Sequence, residues 1–257
     1  MIPASVGFQC PECVREGRGR TLRTAFGGKA VRNRTAVTYT LIGINAAVML
    51  VELAWPQSID RFAQIGGPVH APYGNHPVIG VATGEYYRLL TSMFLHLSPT
   101  AGGFGITHIL FNMWALSQVG PPLEAWLGRI RYLALYLLAG LAGSVAVYVF
   151  ASPLAEELGA SGAVFGLFGA LFVLGRRLRF DMGSVATVIG INLVITFAAS
   201  GISWQAHIGG LIAGAALALA WGYAPRDKRT AVQLATSIAL AAVLVIAVIL
   251  RTHSLKG

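Results

Sequence analysis

Seven apolar runs, at roughly 36–55, 104–120, 132–151, 160–175, 184–200, 204–223 and 231–250, leave this chain few ways to fold. A bilayer core about 30 Å thick is crossed by a helix of roughly 20 apolar residues. The last run, AVQLATSIALAAVLVIAVIL, carries no charge at all. The second, fourth and fifth are short, which is tolerated where protein or water rather than lipid surrounds the backbone. Composition agrees. Only 11% of the 257 residues are charged and 55% are apolar, whereas a soluble domain needs about 25% charge to cover its surface. The expected fold class is an all-α, polytopic membrane protein.

The formal net charge of +9 would suit nucleic-acid binding if the basic residues formed one face. They lie instead in the gaps between apolar runs, where they set membrane orientation. With a cytoplasmic N-terminus, fifteen of the nineteen basic residues fall inside, and only Arg61, Arg88, Arg251 and Lys256 fall outside. The short outer segment SPLAEEL carries Glu156 and Glu157 and no basic residue. The expectation is an integral protein of the cell (inner or plasma) membrane, with the lipid bilayer and no nucleic acid as partner. The basic N-terminus has no apolar core with a cleavage site behind it, so no removable signal peptide is read there. Three regions follow: a basic cytoplasmic segment 1–35, a core 36–223 with a long outer loop 56–103, and a linker with a last helix at 224–257. The second half of that loop, GEYYRLLTSMFLHLSP, is apolar enough to be an interfacial helix lying on or dipping into the outer leaflet.

Orientation places several polar groups at one depth. Ser161 opens the fourth span from outside, only some 6–8 Å below the Glu156/Glu157 level at ~1.5 Å per residue. His207 enters on the sixth span, three residues after Trp204. His108 and Asn112 enter on the second, four apart and so on one helix face. Ionisable and hydrogen-bonding groups inside spans are costly and face a cavity or a partner. Taken singly, each has a bland reading. Ser161 among glycines is a packing or capping residue, His207 a satisfied buried histidine or part of a proton path, and His108 and Asn112 cross-links between helices.

Together these residues resemble the rhomboid family of intramembrane serine proteases. The motifs that carry the resemblance are GASG (Gly159–Gly162), AHIGGLIAG (Ala206–Gly214), HILFN (His108–Asn112) and the loop stretch GEYYRLLTSMFLH. It covers about residues 36–223 and implies a rhomboid-like six-helix bundle, here with a seventh, C-terminal transmembrane helix. It implies Ser161 as nucleophile and His207 as general base. It also implies an oxyanion site from His108, Asn112 and the Ser161 N–H, and Phe165 as the ring against the histidine. Asp181 and Asp227 fall on the cytoplasmic side, so a Ser-His dyad is expected. Gly162 and Gly166 on one span, and Gly210 and Gly214 on another, have the spacing that lets helices approach closely. Gly159, Gly162, Phe165, Gly210 and Gly214 are thus supporting residues.

The expected activity is hydrolysis of peptide bonds in transmembrane protein substrates near the extracytoplasmic face. The alternatives are a catalytically silent relative that binds client helices, or a transporter. A transporter should show internal repeats, and no clear repeat is found. Arg88, preceded by Tyr87 where the family more often has tryptophan, is read as structural. So is His96. His70, His76 and Glu52 are read as polar loop and helix-end residues. Cys10 and Cys13, in FQCPEC, have zinc-ligand spacing but only two ligands of the four that zinc needs. The segment resembles the tail of a Cys-rich module, and the chain could begin inside a longer one. No metal and no cofactor are expected. Substrate identity, oligomeric state and the role of the last helix are not read.

Overall fold

A computed structural model describes residues 2–3, 7–12, 23–31, 33–70, 78–98, 105–199 and 201–257. Cys13, His76 and much of the basic N-terminal segment lie outside the described residues. Seven long helices carry the architecture: α1 (Ala36–Ala54), α2 (Gly105–Leu127), α3 (Arg129–Phe150), α4 (Ser161–Arg177), α5 (Gly183–Ala198), α6 (Trp204–Tyr223) and α7 (Arg229–Lys256). Among the described residues, strand is confined to two-residue ladders. The fold is all-α and polytopic, as expected, and the chain is an integral membrane protein. Helices α1, α3, α6 and α7 are long and apolar enough to cross a membrane by themselves. The 17-residue α4 and 16-residue α5 are shorter.

The helix ends show where local chemistry acts. The second apolar run ends near residue 120, just before Pro121 and Pro122; a proline inside a helix removes a backbone donor and clashes with the preceding turn. The helix instead continues through both prolines to Leu127. Leu123, Glu124 and Leu127 are buried almost completely, and that burial offsets the lost backbone bonds. Gly128, at φ +79°, ends it. Glu124 then has a use. Its carboxylate accepts the Val37 and Thr38 N–H groups at 2.9 Å each, and the Thr38 hydroxyl at 2.9 Å. It thereby closes the N-terminus of α1, where first-turn N–H groups lack helical partners and the helix dipole favours an anion.

The core is built round α4. Twelve of its seventeen residues are buried, among them an unbroken run from Gly162 to Leu171. Helix α6 packs most closely on it, with α3 and α2 completing the surround. The contact works because small residues let backbones meet. A side-chain carbon at Gly166 would fall 2.9 Å from the Gly210 carbonyl oxygen, and one at Gly169 would fall 2.6 Å from that of Leu211. Close approach of this kind drives association in lipid, where no hydrophobic force separates helix from solvent. Helix α5, by contrast, has Thr196 as its only buried residue.

The loop between α1 and α2 is held by buried polar groups. Arg88, fully buried, pairs with Glu85 at 2.7 Å and donates to the carbonyls of Asp60 and Ala63 at 2.9 and 2.7 Å. The part expected to be an interfacial helix is one turn, Arg88–Thr91, followed by a 3-10 turn, Ser92–Phe94. Gln64–Ile65 of this loop pairs antiparallel with Glu156–Glu157, tying it to the segment that enters α4.

Candidate active site

Ser161 is the first residue of α4, behind Ala160 at the N-cap. The turn that delivers it needs glycine twice over. Gly159 has φ +133°, a region other residues rarely adopt. A side-chain carbon there would lie 2.9 Å from both Cε1 and Nε2 of His108, and 3.8 Å from Ser161 Oγ. The His108 ring edge and the Ser161 hydroxyl therefore border the same small space. The Gly159 N–H is fixed by the Ser92 carbonyl at 2.9 Å, so the outer loop braces this turn.

His207 sits in the first turn of α6, whose N-cap Ser203 accepts the Ala206 N–H at 3.4 Å. Its ring lies flat on Phe165, with centroids 4.0 Å apart and planes 12° apart. Phe165 is one turn beyond Ser161. The backbones meet there too: carbons added at Gly162 and Gly143 would fall 3.3 and 2.8 Å from the Ala206 carbonyl oxygen. A carbon at Gly210 would overlap the Gly162 carbonyl, and one at Gly214 that of Gly166. The structure thus brings Ser161, His207, Phe165, Gly162, Gly210 and Gly214 into one helix pair. Ser161 and His207 are not hydrogen-bonded to each other. His207 Nδ1 meets the Thr196 hydroxyl at 2.7 Å.

His108 and Asn112 share a face of α2. Asn112 is buried, and its amide donates one N–H to the His108 carbonyl at 2.9 Å. His108 Nδ1 accepts the Leu97 N–H across 3.4 Å, which leaves Nε2, the nitrogen bordering Gly159, to carry the proton and donate. Behind it lies His96, fully buried, its ring centroid 5.2 Å from that of His108. Burial first, and then the neighbouring His108, push the His96 imidazole down to about 3. Its backbone N–H goes to the Glu52 carboxylate at 2.9 Å.

At the mouth, burial pushes the Glu157 carboxyl up to about 7, against the lowering influence of the nearby Ser203 hydroxyl. Three residues of this region were not anticipated as partners: Thr196, Glu52 and Glu157. Glu52 and Thr196 carried one available signal, a polar group inside or at the end of an apolar run. No grouping of three or more His, Cys, Asp or Glu side chains suited to a metal occurs among the described residues.

Comparison with known proteins gives the site a context. Residues 83–224 match the model of the Rhomboid domain family. Over 147 residues the chain is 44% identical to "Rhomboid protease GluP" of Bacillus subtilis (strain 168), covering 55% of this chain and 27% of that protein. Over 141 residues it is 36% identical to "Putative rhomboid protease YdcA" of the same strain, covering 53% of this chain and 67% of that one. It is 26% identical over 234 residues to "Rhomboid protease AarA" of Providencia stuartii, covering 79% of each.

Proposed function

This chain belongs to the rhomboid family, and from that premise we propose that it is an intramembrane serine endopeptidase that cuts transmembrane protein substrates near the extracytoplasmic face. The observation that carries the proposal is the stack of His207 on Phe165, one turn beyond Ser161, in a helix pair close enough for backbone contact.

In the proposed reaction, Ser161 Oγ attacks the scissile carbonyl while His207 Nε2 takes its proton. The imidazolium then protonates the leaving amine, and water releases the acyl group by the same steps in reverse. The oxyanion is met by the Ser161 N–H at the free N-terminus of α4, by His108 Nε2–H, and by the Asn112 amide, which has a second N–H to give besides the one on the His108 carbonyl. Donors held in place before the reaction avoid reorganisation as charge develops. Hydrogen bonds of catalytic groups are often unmade without substrate and close in the complex, which accommodates the separate Ser161 and His207 of this structure.

The fifteen-to-four distribution of basic residues supports a cytoplasmic N-terminus in the cell membrane, with Ser161 opening toward the other side. Purified full-length protein should take up a fluorophosphonate probe and cleave a generic transmembrane reporter. Both should vanish in Ser161→Ala, and cleavage should vanish in His207→Ala. A wild type that neither labels nor cuts overturns the proposal in favour of a client-binding relative.

A further inference from the structure

Resting on the protease reading, we infer that Thr196 is a positioning residue that sets which nitrogen of His207 carries the proton. A threonine hydroxyl has one hydrogen to give and lone pairs to accept with. Thr196 Oγ1 is 2.7 Å from the Asn192 carbonyl oxygen, which can only accept. The same Oγ1 is 2.7 Å from His207 Nδ1. With its hydrogen directed to Asn192, the hydroxyl receives one from Nδ1. Neutral His207 is therefore the Nδ1–H tautomer, and Nε2 holds the bare lone pair that a general base requires. The Phe165 face fixes the plane of the ring, and the Thr196 contact fixes its rotation and its proton.

The arrangement does with a neutral hydroxyl what a buried carboxylate does in a Ser-His-Asp triad: it orients the imidazole without taking a proton. When Nε2 accepts the Ser161 proton, Nδ1–H remains in place and its bond to Thr196 Oγ1 becomes charge-assisted. Thr196 keeps its own hydrogen throughout. The residue stands apart on its helix. It is the only buried residue of α5, and it spends that burial on the histidine of α6. The base thus depends on the least embedded helix of the bundle being seated.

The test uses the full chain in detergent, with Thr196→Val, which keeps the β-branched shape and removes the hydroxyl, and Thr196→Ser, which keeps the hydroxyl. In ¹⁵N-histidine spectra assigned with His207→Ala, the wild type and Thr196→Ser should show protonated Nδ1 and bare Nε2 at neutral pH. Thr196→Val should lose that pattern. Its kcat on a transmembrane reporter should fall about tenfold, the effect of one hydrogen bond to a group that becomes charged, with KM unchanged. Thr196→Ser should stay near wild type. The inference is overturned if Thr196→Val keeps protonated Nδ1 and wild-type kcat, or if Thr196→Ser falls as far as Thr196→Val. Should the wild type fail to cut or to label, the protease reading falls, while the spectra still decide the tautomer.

Discussion

Gly159 concentrates the constraints on this site in one residue. Its φ of +133° excludes a side chain on conformational grounds, and the His108 ring excludes it on steric ones. Gly159→Ala should therefore cost more in reporter cleavage than in thermal stability, because the collision displaces His108 from Ser161 before it disturbs the core. Cleavage equal to wild type would count against the shared pocket wall. His108→Ala should lower kcat by about 10²–10³-fold, as loss of one oxyanion donor does elsewhere. Glu157 gives a pH signature. Burial raises its carboxyl to about 7, above the ordinary 4.5, so the folded chain keeps a proton that the unfolded chain has released. Between about 4.5 and 7, stability falls as pH rises. His96, held down to about 3, pulls the other way: its contribution is complete above about 6.5 and is lost as pH falls toward 3. Glu157→Gln should weaken the first slope and leave the second, read as the difference in melting temperature between pH 4.5 and 7.5.

At the scale of elements, α4 and α6 are one unit because their glycines interlock. A carbon at Gly210 meets the Gly162 carbonyl, whereas one at Gly190, on α5, meets nothing within 4 Å. Gly210→Ala should force the helices apart and destabilise the protein by about 3 kcal/mol or more, at the upper end of overpacking effects. Gly190→Ala should be neutral or slightly stabilising, since alanine is the better helix former by roughly 1 kcal/mol. Thermal unfolding in detergent compares the two directly. The glycine spacing was legible in the sequence at 162, 166, 210 and 214. The interlock also recruits Gly143, Gly169 and Ala206, because which face of α3 meets the pair is set by packing and not by any one helix's own period.

For the whole molecule, α7 is a helix whose polar bonds to the rest of the fold lie near its two ends, with Leu240 and Leu244 packed between them. Near its start, Gln233 donates to the Phe26 carbonyl at 3.0 Å and accepts from Arg131 at 2.6 Å, and Thr236 accepts from Trp221 at 3.1 Å. Near its finish, Thr252 meets the Tyr148 hydroxyl at 2.8 Å, and Arg251 donates to the Tyr148 carbonyl at 3.2 Å. Between these, Ile238, Val243, Ile246 and Leu250 are exposed, as suits a helix bordered by lipid. Gln233→Ala leaves the Phe26 carbonyl and the Arg131 guanidinium short of a partner, and should cost about 1–3 kcal/mol. Reporter cleavage at permissive temperature should hold, since this end of α7 lies by Trp221 near the finish of α6, whereas His207 is in the first turn of α6. A lower melting temperature with retained kcat is the expected pair of results.

The sequence by itself determined the class of this protein. Apolar runs of helix-spanning length with so little charge call for helices that bond their own backbones in lipid, and the turn-by-turn geometry of a helix then puts Ser161, His108, Asn112 and His207 at similar depth. Tertiary structure alone decided what those groups touch. Depth says nothing of azimuth, so only packing could set the Phe165 and His207 rings flat on each other at 4.0 Å, a contact the family resemblance implied without its geometry. It also carried α2 through two prolines, because burial of Leu123 and Leu127 outweighed a local rule. The partner of the His207 ring comes from α5, and no periodicity within one helix records which neighbour's hydroxyl will reach it.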